Sequence, residues 1–448
     1  MKRTLFAIWV VGLTGLVFPA LAQSTDESAR VEQLEKRVEE LEMEMLQNSA
    51  MATEEESDDL NPIEFQGKSR ALQALNPEIS AELDAYAVGV YQDGREYSDL
   101  MRSGFHIREL AIHLQSTLDP FSFMKVAVAV GPEGASLEEG FIVYAGILPR
   151  INLSLGLLRQ DLGVVNRWHQ HSLDQFEYPW MLKIPFGPEG LVQTGISLNW
   201  LMPAVWADAN ELILQVTNGQ NDEAFSGEFF SVPTTLLRLK SYWDLSRNTY
   251  FEFNLTGMVG FNHRRGVPTN DSGLGGLSGM AAMGTLVDTM APSDEANPPP
   301  GNSSNEDLRT TTVGGFDMTL NWSPLDQASY KGFLWRTEGL YVRQQFPGLE
   351  GSSTPRTMDF WGMYSYVEGL VKRNLSLGIR GDLVRLFRES GGADEFIWQA
   401  TPYVTWWQSE FVRIRVEYNA ISRPDVDLEH RALLQLSFAA GPHKHERY

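Results

Sequence analysis

The sequence predicts an all-β transmembrane barrel of 16 antiparallel strands, preceded by a short N-terminal coiled coil. Three observations carry that reading. From residue 77 to the end, apolar and polar residues alternate with period 2 in runs mostly 10 to 14 long. Such runs exceed the five or six residues usual in soluble sheets and suit strands that cross a bilayer at a tilt. The connections alternate between short and long, as tight periplasmic turns and long outer loops do in an outer-membrane barrel. Aromatic residues also gather at one level, the end where the short turns lie.

The elements follow in chain order. Residues 1–22, MKRTLFAIWVVGLTGLVFPALA, have the form of a secretory signal. Lys2 and Arg3 supply the basic end, 5–19 the apolar middle and Ala20-Leu21-Ala22 a small-residue cleavage site. No later run is long and apolar enough for a membrane-spanning helix. Within 23–49, Val31, Leu34, Val38, Leu41 and Met45 fall at heptad a and d positions. A helix this short is marginal alone, so a periplasmic coiled coil joining copies of the chain is expected. Residues 50–76 are an acidic, weakly apolar linker. From 23 to 66 there are fourteen acids and three bases, about half of the negative charge of a chain whose formal net charge is −22. The overall acidity therefore says little about the partners of the barrel, 77–448.

The expected strands are 78–91, 105–118, 121–130, 139–148, 151–160, 191–202, 209–218, 233–243, 249–261, 310–322, 331–343, 357–369, 374–385, 395–405, 410–420 and 429–440. An even number leaves both chain ends in the periplasm. In 410–421, EFVRIRVEYNAI, Val412, Ile414, Val416, Tyr418 and Ala420 share one parity and Arg413, Arg415, Glu417 and Asn419 the other. The first set is expected to face lipid and the second a water-filled lumen. In 105–114 the parity slips at Arg108-Glu109, which calls for a bulge or an inward rim residue. Trp200, Trp243, Trp322, Trp406 and Trp407 close downward strands, while Phe121, Phe123, Phe333, Trp335 and Phe411 open upward ones.

Sixteen strands enclose a channel. Parity assigns Lys125, Arg238, Lys240, Arg336, Arg380, Arg413, Arg415 and Arg431 to its wall as pore-lining, selectivity-setting bases. Facing them are Glu82, Asp84, Glu109, Glu211, Glu252, Asp317, Glu338, Asp382 and Glu417. Arg238, Arg336, Arg380 and Arg415 fall near mid-height, where a passing ion feels charge most. The same groups could instead brace the wall as ion pairs.

The stretch 137–158, LEEGFIVYAGILPRINLSLGLL, followed by RQDLG, resembles the paired-strand signature of the phosphate-selective porin O and P type. An acidic residue precedes an aromatic strand, a Gly-Leu-Pro-like turn and a strand ending in a Gly-x-x-basic stretch. The coiled coil and the GFHIREL stretch also resemble porin-like relatives. The resemblance implies a 16-stranded trimeric outer-membrane channel for small solutes, often anions. The family's Gln-Phe-Lys is replaced by 157–160, LLRQ, and there is no long ladder of Lys and Arg. In porins of this size the third long loop folds inward and narrows the pore. Here that loop holds Arg167, His169 and His171, the constriction candidates, beside Trp168, Tyr178 and Trp180. His169-Gln170-His171 suits a metal only if the backbone is extended with both rings on one side. Pore lining or plain loop structure is the reading adopted, with no metal expected.

Absent are the GxSxG, HExxH and glycine-rich phosphate-loop motifs. No enzyme activity, cofactor or nucleic-acid partner is expected. Without cysteine the chain has no disulfide and no thiol for lipid attachment. The expected function is a porin in the outer membrane of a Gram-negative bacterium, surrounded by lipid, trimeric, and passing small hydrophilic solutes or ions. The alternative is a structural or binding barrel that ties the outer membrane to a periplasmic partner through the coiled coil. The 48-residue outer loop 262–309 could cap the mouth and favour the alternative.

Overall fold

Sixteen antiparallel strands hydrogen-bond in sequence order, and β1 pairs with β16 to close the ring. The computed structural model describes residues 77–98, 100–132, 134–221, 223–225, 232–262, 308–325, 327–328, 330–346, 356–389 and 392–441. The expected signal peptide, coiled coil and linker lie outside these residues, as does nearly all of the loop 262–309. The strands are β1 (Glu78–Tyr91), β2 (Gly104–Asp119), β3 (Ser122–Gly131), β4 (Gly134–Leu148), β5 (Ile151–Arg159), β6 (Val192–Met202), β7 (Ala209–Thr217), β8 (Thr234–Ser246), β9 (Thr249–Asn262), β10 (Arg309–Trp322), β11 (Gly332–Phe346), β12 (Arg356–Lys372), β13 (Leu375–Glu389), β14 (Phe396–Ser409), β15 (Val412–Ser422) and β16 (Glu429–Ala440). Every strand expected from the sequence is present. Closure leaves no unpaired edge, which a hydrocarbon surround requires.

The usual inside-out rule is inverted. On β15, Arg413 is 3% exposed, Arg415 1% and Glu417 3%, whereas Val416 is 52% and Tyr418 42% exposed. β16 repeats this, with Arg431, Gln435 and Ser437 buried and Leu434 and Phe438 exposed. An outward apolar band around a polar interior is the surface a bilayer selects.

Of the register shifts in the ladder, two lie beside the loop that fills the barrel. Between β1 and β2 the register passes from Asp84↔Glu109 to Ala85↔Ile107, so Arg108 is the extra residue. Between β3 and β4 it passes from Ala127↔Glu139 to Val128↔Leu137, so Glu138 is the extra residue. Each bulge turns two successive charged side chains inward, where a regular strand would send one into lipid. The first was expected from the parity slip. The second explains why β4 begins five residues earlier than expected.

Trp200, Trp322, Phe333, Trp406, Phe411 and Phe121 are exposed at the short-turn end, as expected of an interfacial belt. Trp407 departs from that belt. It follows Trp406 by one residue, so strand parity turns it inward, and the Arg413 guanidinium lies 5.6 Å from its ring. Trp335 donates to Ser365 Oγ at 3.1 Å, and Trp243 donates to the Trp206 carbonyl at 3.1 Å.

Candidate functional site: the third outer loop and the wall that holds it

Between β5 and β6, residues 160–191 run inside the barrel. They contain 3-10 turns at Val165–Arg167 and Gln170–Ser172 and a short helix, α1 (Trp180–Phe186). Aromatic and apolar side chains in a loop this long need a surface to cover them. The wall supplies it, and Leu162, Trp168, Leu173, Tyr178, Trp180, Met181 and Phe186 are all buried. Their cluster includes Val342, Phe360, Tyr364, Tyr366, Val384 and Ile397 of β11 to β14. Trp180 Nε1 donates to Gln399 Oε1 at 2.5 Å, so the indole carries no unmet donor into this core. Two glycines make the path possible. At Gly163 (φ +72°) an added Cβ would meet Glu338 Oε2, and this close approach lets the Glu338 carboxylate accept from Val164 N at 2.9 Å and Val165 N at 3.1 Å. Gly187 (φ +90°) ends α1 in the left-handed region.

Six of the eight bases assigned to the pore wall hold this loop. Arg238 pairs with Asp317 at 3.0 Å and donates to the carbonyls of Asp161 and Gly163. Arg336 lies 4.7 Å from the Trp168 ring centre and donates to Tyr366, whose hydroxyl donates to Asp174 at 2.6 Å. Arg380 pairs with Asp382 at 2.8 Å and donates to the Glu177 carbonyl at 2.8 Å. Arg413 donates to the carbonyls of His171 and Leu173, and Arg415 to that of Leu173 at 2.8 Å. Arg431 bonds Glu177 at 3.2 Å and also Glu429. Lys125 bonds Glu139 at 3.2 Å. All of these side chains lie on the inner parity of their strands, buried against the loop or a wall carboxylate. Of the eight, only Lys240 keeps a part-exposed side chain, 2.9 Å from Glu211. A guanidinium offers five donors in a rigid fork, so one group can neutralise a wall carboxylate and satisfy loop carbonyls together.

The three loop candidates separate. Arg167, partly exposed, bonds Asp161 at 2.8 Å. His169 and His171 lie on one side of the chain with rings stacked 5.5 Å apart and 7° from parallel. His113 of β2 stands edge-on to both, at 5.2 and 5.1 Å. His169 Nδ1 lies 2.9 Å from Glu138 and its Nε2 3.0 Å from Glu139. His171 Nδ1 lies 3.0 Å from Glu109. Among the described residues no group of His, Asp and Glu is arranged to hold a metal ion. Glu138, Glu139 and His113 were not singled out from the sequence. Two adjacent acids inside a strand, the same parity violation as Arg108-Glu109, are the signal that could have found the pair.

Burial and the nearby Arg159 guanidinium pull the His169 pKa down, but the Glu138 and Glu139 carboxylates outweigh both and raise it above the ordinary imidazole value. Burial opposes ionisation of Glu177, yet Lys183 at 2.6 Å and Arg431 hold its carboxyl at about 2. For Lys183 burial wins and its pKa falls despite that partner. The pair is thus held from the carboxylate side, by two cations.

On the outer side of the loop lies a cavity of about 1220 Å³. Arg95, Arg102 and Tyr97 of the first outer connection line it, with Arg108, Arg159, Lys183, Glu109, Glu138, Glu177 and Glu189.

No family model matches the chain. A curated relative from Aquifex aeolicus (strain VF5), described as an uncharacterized protein, is 27% identical over 308 residues, 68% of this chain. The chain spans 60% of that relative's length. The outer membrane channel DcaP of Acinetobacter baumannii superposes with a TM-score of 0.51 at 10% identity, over 81% of this chain and 97% of that one. The trimer form of OmpT from Vibrio cholerae gives 0.47 at 9% identity, over 82% and 100%. An anion-selective porin from Comamonas acidovorans gives 0.46 at 9%, over 81% and 99%. The DcaP likeness is one of fold.

Proposed function

We propose that the chain is an outer-membrane porin, a passive channel for small hydrophilic solutes in a Gram-negative bacterium, with a modest preference for anions. The observation that carries this reading is a closed 16-strand barrel, apolar outside and charged inside, with one long loop folded across its interior. Charged groups in a confined, partly dry passage act on ions far more strongly than at an open surface. Anion preference is supported by the outer cavity, where Arg95 and Arg102 are solvent-exposed. Three of its carboxylates are already engaged, Glu109 by His171, Glu138 by His169 and Arg159, and Glu177 by Lys183 and Arg431. Glu189 opposes the two arginines, which keeps the preference small. The resemblance to phosphate-selective porins of the O and P type agrees with an anionic solute. Oligomers belong to the same proposal: the coiled coil at 23–49 joins copies of the chain, its Val at a and Leu at d leaning towards a dimer, and the porin resemblance implies a trimer set by the barrels.

Purified protein in planar bilayers should conduct ions, and a salt gradient should give a reversal potential on the anion side. Replacing Arg380 and Arg415 together with Gln should move it towards cations. Silence of the wild type where a control porin opens would sink the channel reading and promote the periplasmic tether.

A further inference from the structure

His169 places an unusual demand on its proton count. Both ring nitrogens face carboxylate oxygens, Nδ1 at Glu138 and Nε2 at Glu139. A neutral imidazole has one N–H and one lone pair, and an ionised carboxylate only accepts, so the arrangement is satisfied when both nitrogens carry hydrogen. Each carboxylate also has a base of its own. Lys125 Nζ lies 3.2 Å from Glu139 and an Arg159 nitrogen 3.3 Å from Glu138. Those cations favour ionised carboxylates, which leaves the extra proton on the ring. The β4 bulge at Glu138 is what aims two successive carboxylates at one imidazole.

We propose that His169 is a pH-sensitive latch on the third outer loop. As imidazolium it ties residues 160–191 to β4 through two carboxylates, and loss of its proton leaves one buried carboxylate facing a lone pair, which frees that side of the loop. The groups around it come from every packed element. β1 brings Glu82, 4.0 Å from His171; β2 brings Glu109 and His113; β3 Lys125; β4 Glu138 and Glu139; β5 Arg159; and the loop itself His171, Arg167 and Tyr178. The raised His169 pKa agrees in sign. A group whose pKa is raised on folding stabilises fully below its unfolded value, about 6.5 for histidine, and that stabilisation is lost as pH climbs through the folded value. Protons have a route, since Glu138 and Gln170 line the cavity on the outer side. Any effect on solute passage rests on the channel reading, whereas the state of the loop does not.

The chain has no cysteine, so Gln170→Cys, at a half-exposed position next to the latch residue, can carry a single nitroxide. The label should be immobile at pH 6 and become mobile on titration to pH 9, with a midpoint above about 6.5. Glu138→Gln should remove the transition, because a carboxamide N–H can donate to the lone pair of neutral His169 while Glu139 accepts from the other nitrogen. His169→Ala should be mobile throughout. Heat-modifiable gel migration establishes that each variant is a folded barrel. A flat wild-type curve overturns the latch without any further variant, as does an unchanged midpoint in Glu138→Gln or an immobile loop in His169→Ala. Conductance is read separately, so a pH-dependent label in a silent barrel keeps the latch and rejects the channel.

Discussion

The third outer loop meets the two halves of the barrel wall by different physics. Against β11 to β14 it presents Trp180 and Met181, in one apolar cluster with Val342, Phe360, Tyr364 and Val384. Against β1 to β4 it presents His169 and His171, which meet Glu138, Glu139 and Glu109. Apolar contact is indifferent to pH and salt, while a buried ionic contact holds only while each partner keeps its charge. The β11 to β14 contact therefore rests mainly on apolar burial, beside the fastenings at Arg336, Glu338 and Arg380, while the β1 to β4 contact is ionic and is the releasable clasp. The wall itself differs between the two regions, apolar at Val342, Phe360 and Val384 and acidic at Glu109, Glu138 and Glu139, so wall and loop together decide which contact forms.

The largest effect should come from breaking the apolar half. Trp180→Ala removes an indole 1% exposed in the loop core, and truncations of this kind cost about 3–5 kcal/mol. Thermal unfolding followed by gel migration and by far-UV signal should separate the loop from the barrel. We expect loop mobility at pH 6 with the strands intact. A variant as rigid as the wild type would mean that the clasp alone suffices.

A comparable loss should come from acid, and only in the ionic half. Glu177 is held at about 2, below its unfolded value, by Lys183 and Arg431. The sign is the reverse of that for His169. Its stabilisation, roughly 3 kcal/mol, is complete above the unfolded value and disappears as pH falls through about 2. The loop should thus be held best between the acid limit set by Glu177 and the alkaline limit set by His169. Arg431→Gln should move the acid limit upward, measured by the same label at Gln170→Cys. An unmoved acid limit would remove Arg431 from the clasp.

The smallest effect is expected outside both halves. Lys240 and Glu211 form a pair with side chains 35% and 28% exposed. Such pairs contribute about 0.2–1 kcal/mol. Lys240→Gln should leave the loop fixed at every pH and change melting within error. A large loss would show that the loop leans on this part of the wall too.

The strands were legible because their code is local. Arg413, Arg415 and Glu417 on one parity with Val416 and Tyr418 on the other is enough to assign inside and outside, provided one side is lipid. The Arg108-Glu109 slip was legible for the same reason, while the Glu138-Glu139 slip was missed because the strand was started at 139, five residues too late and past Glu138. Trp407 was misplaced because level along the strand was read and parity was not.

What the sequence by itself determined is the barrel: its strand number, its closure and which side of each strand is polar, since period 2 and connection length act within a dozen residues. What only the tertiary structure decided is the partner of each inward charge. Arg413 finds the His171 carbonyl 242 residues away, and Arg380 finds that of Glu177 across 203. No local pattern records such meetings. They follow from one loop turning inward, where its aromatic side chains find an apolar stretch of wall at Val342, Phe360 and Val384 to cover them, and that turn made a row of apparently free bases into the fastenings of a loop.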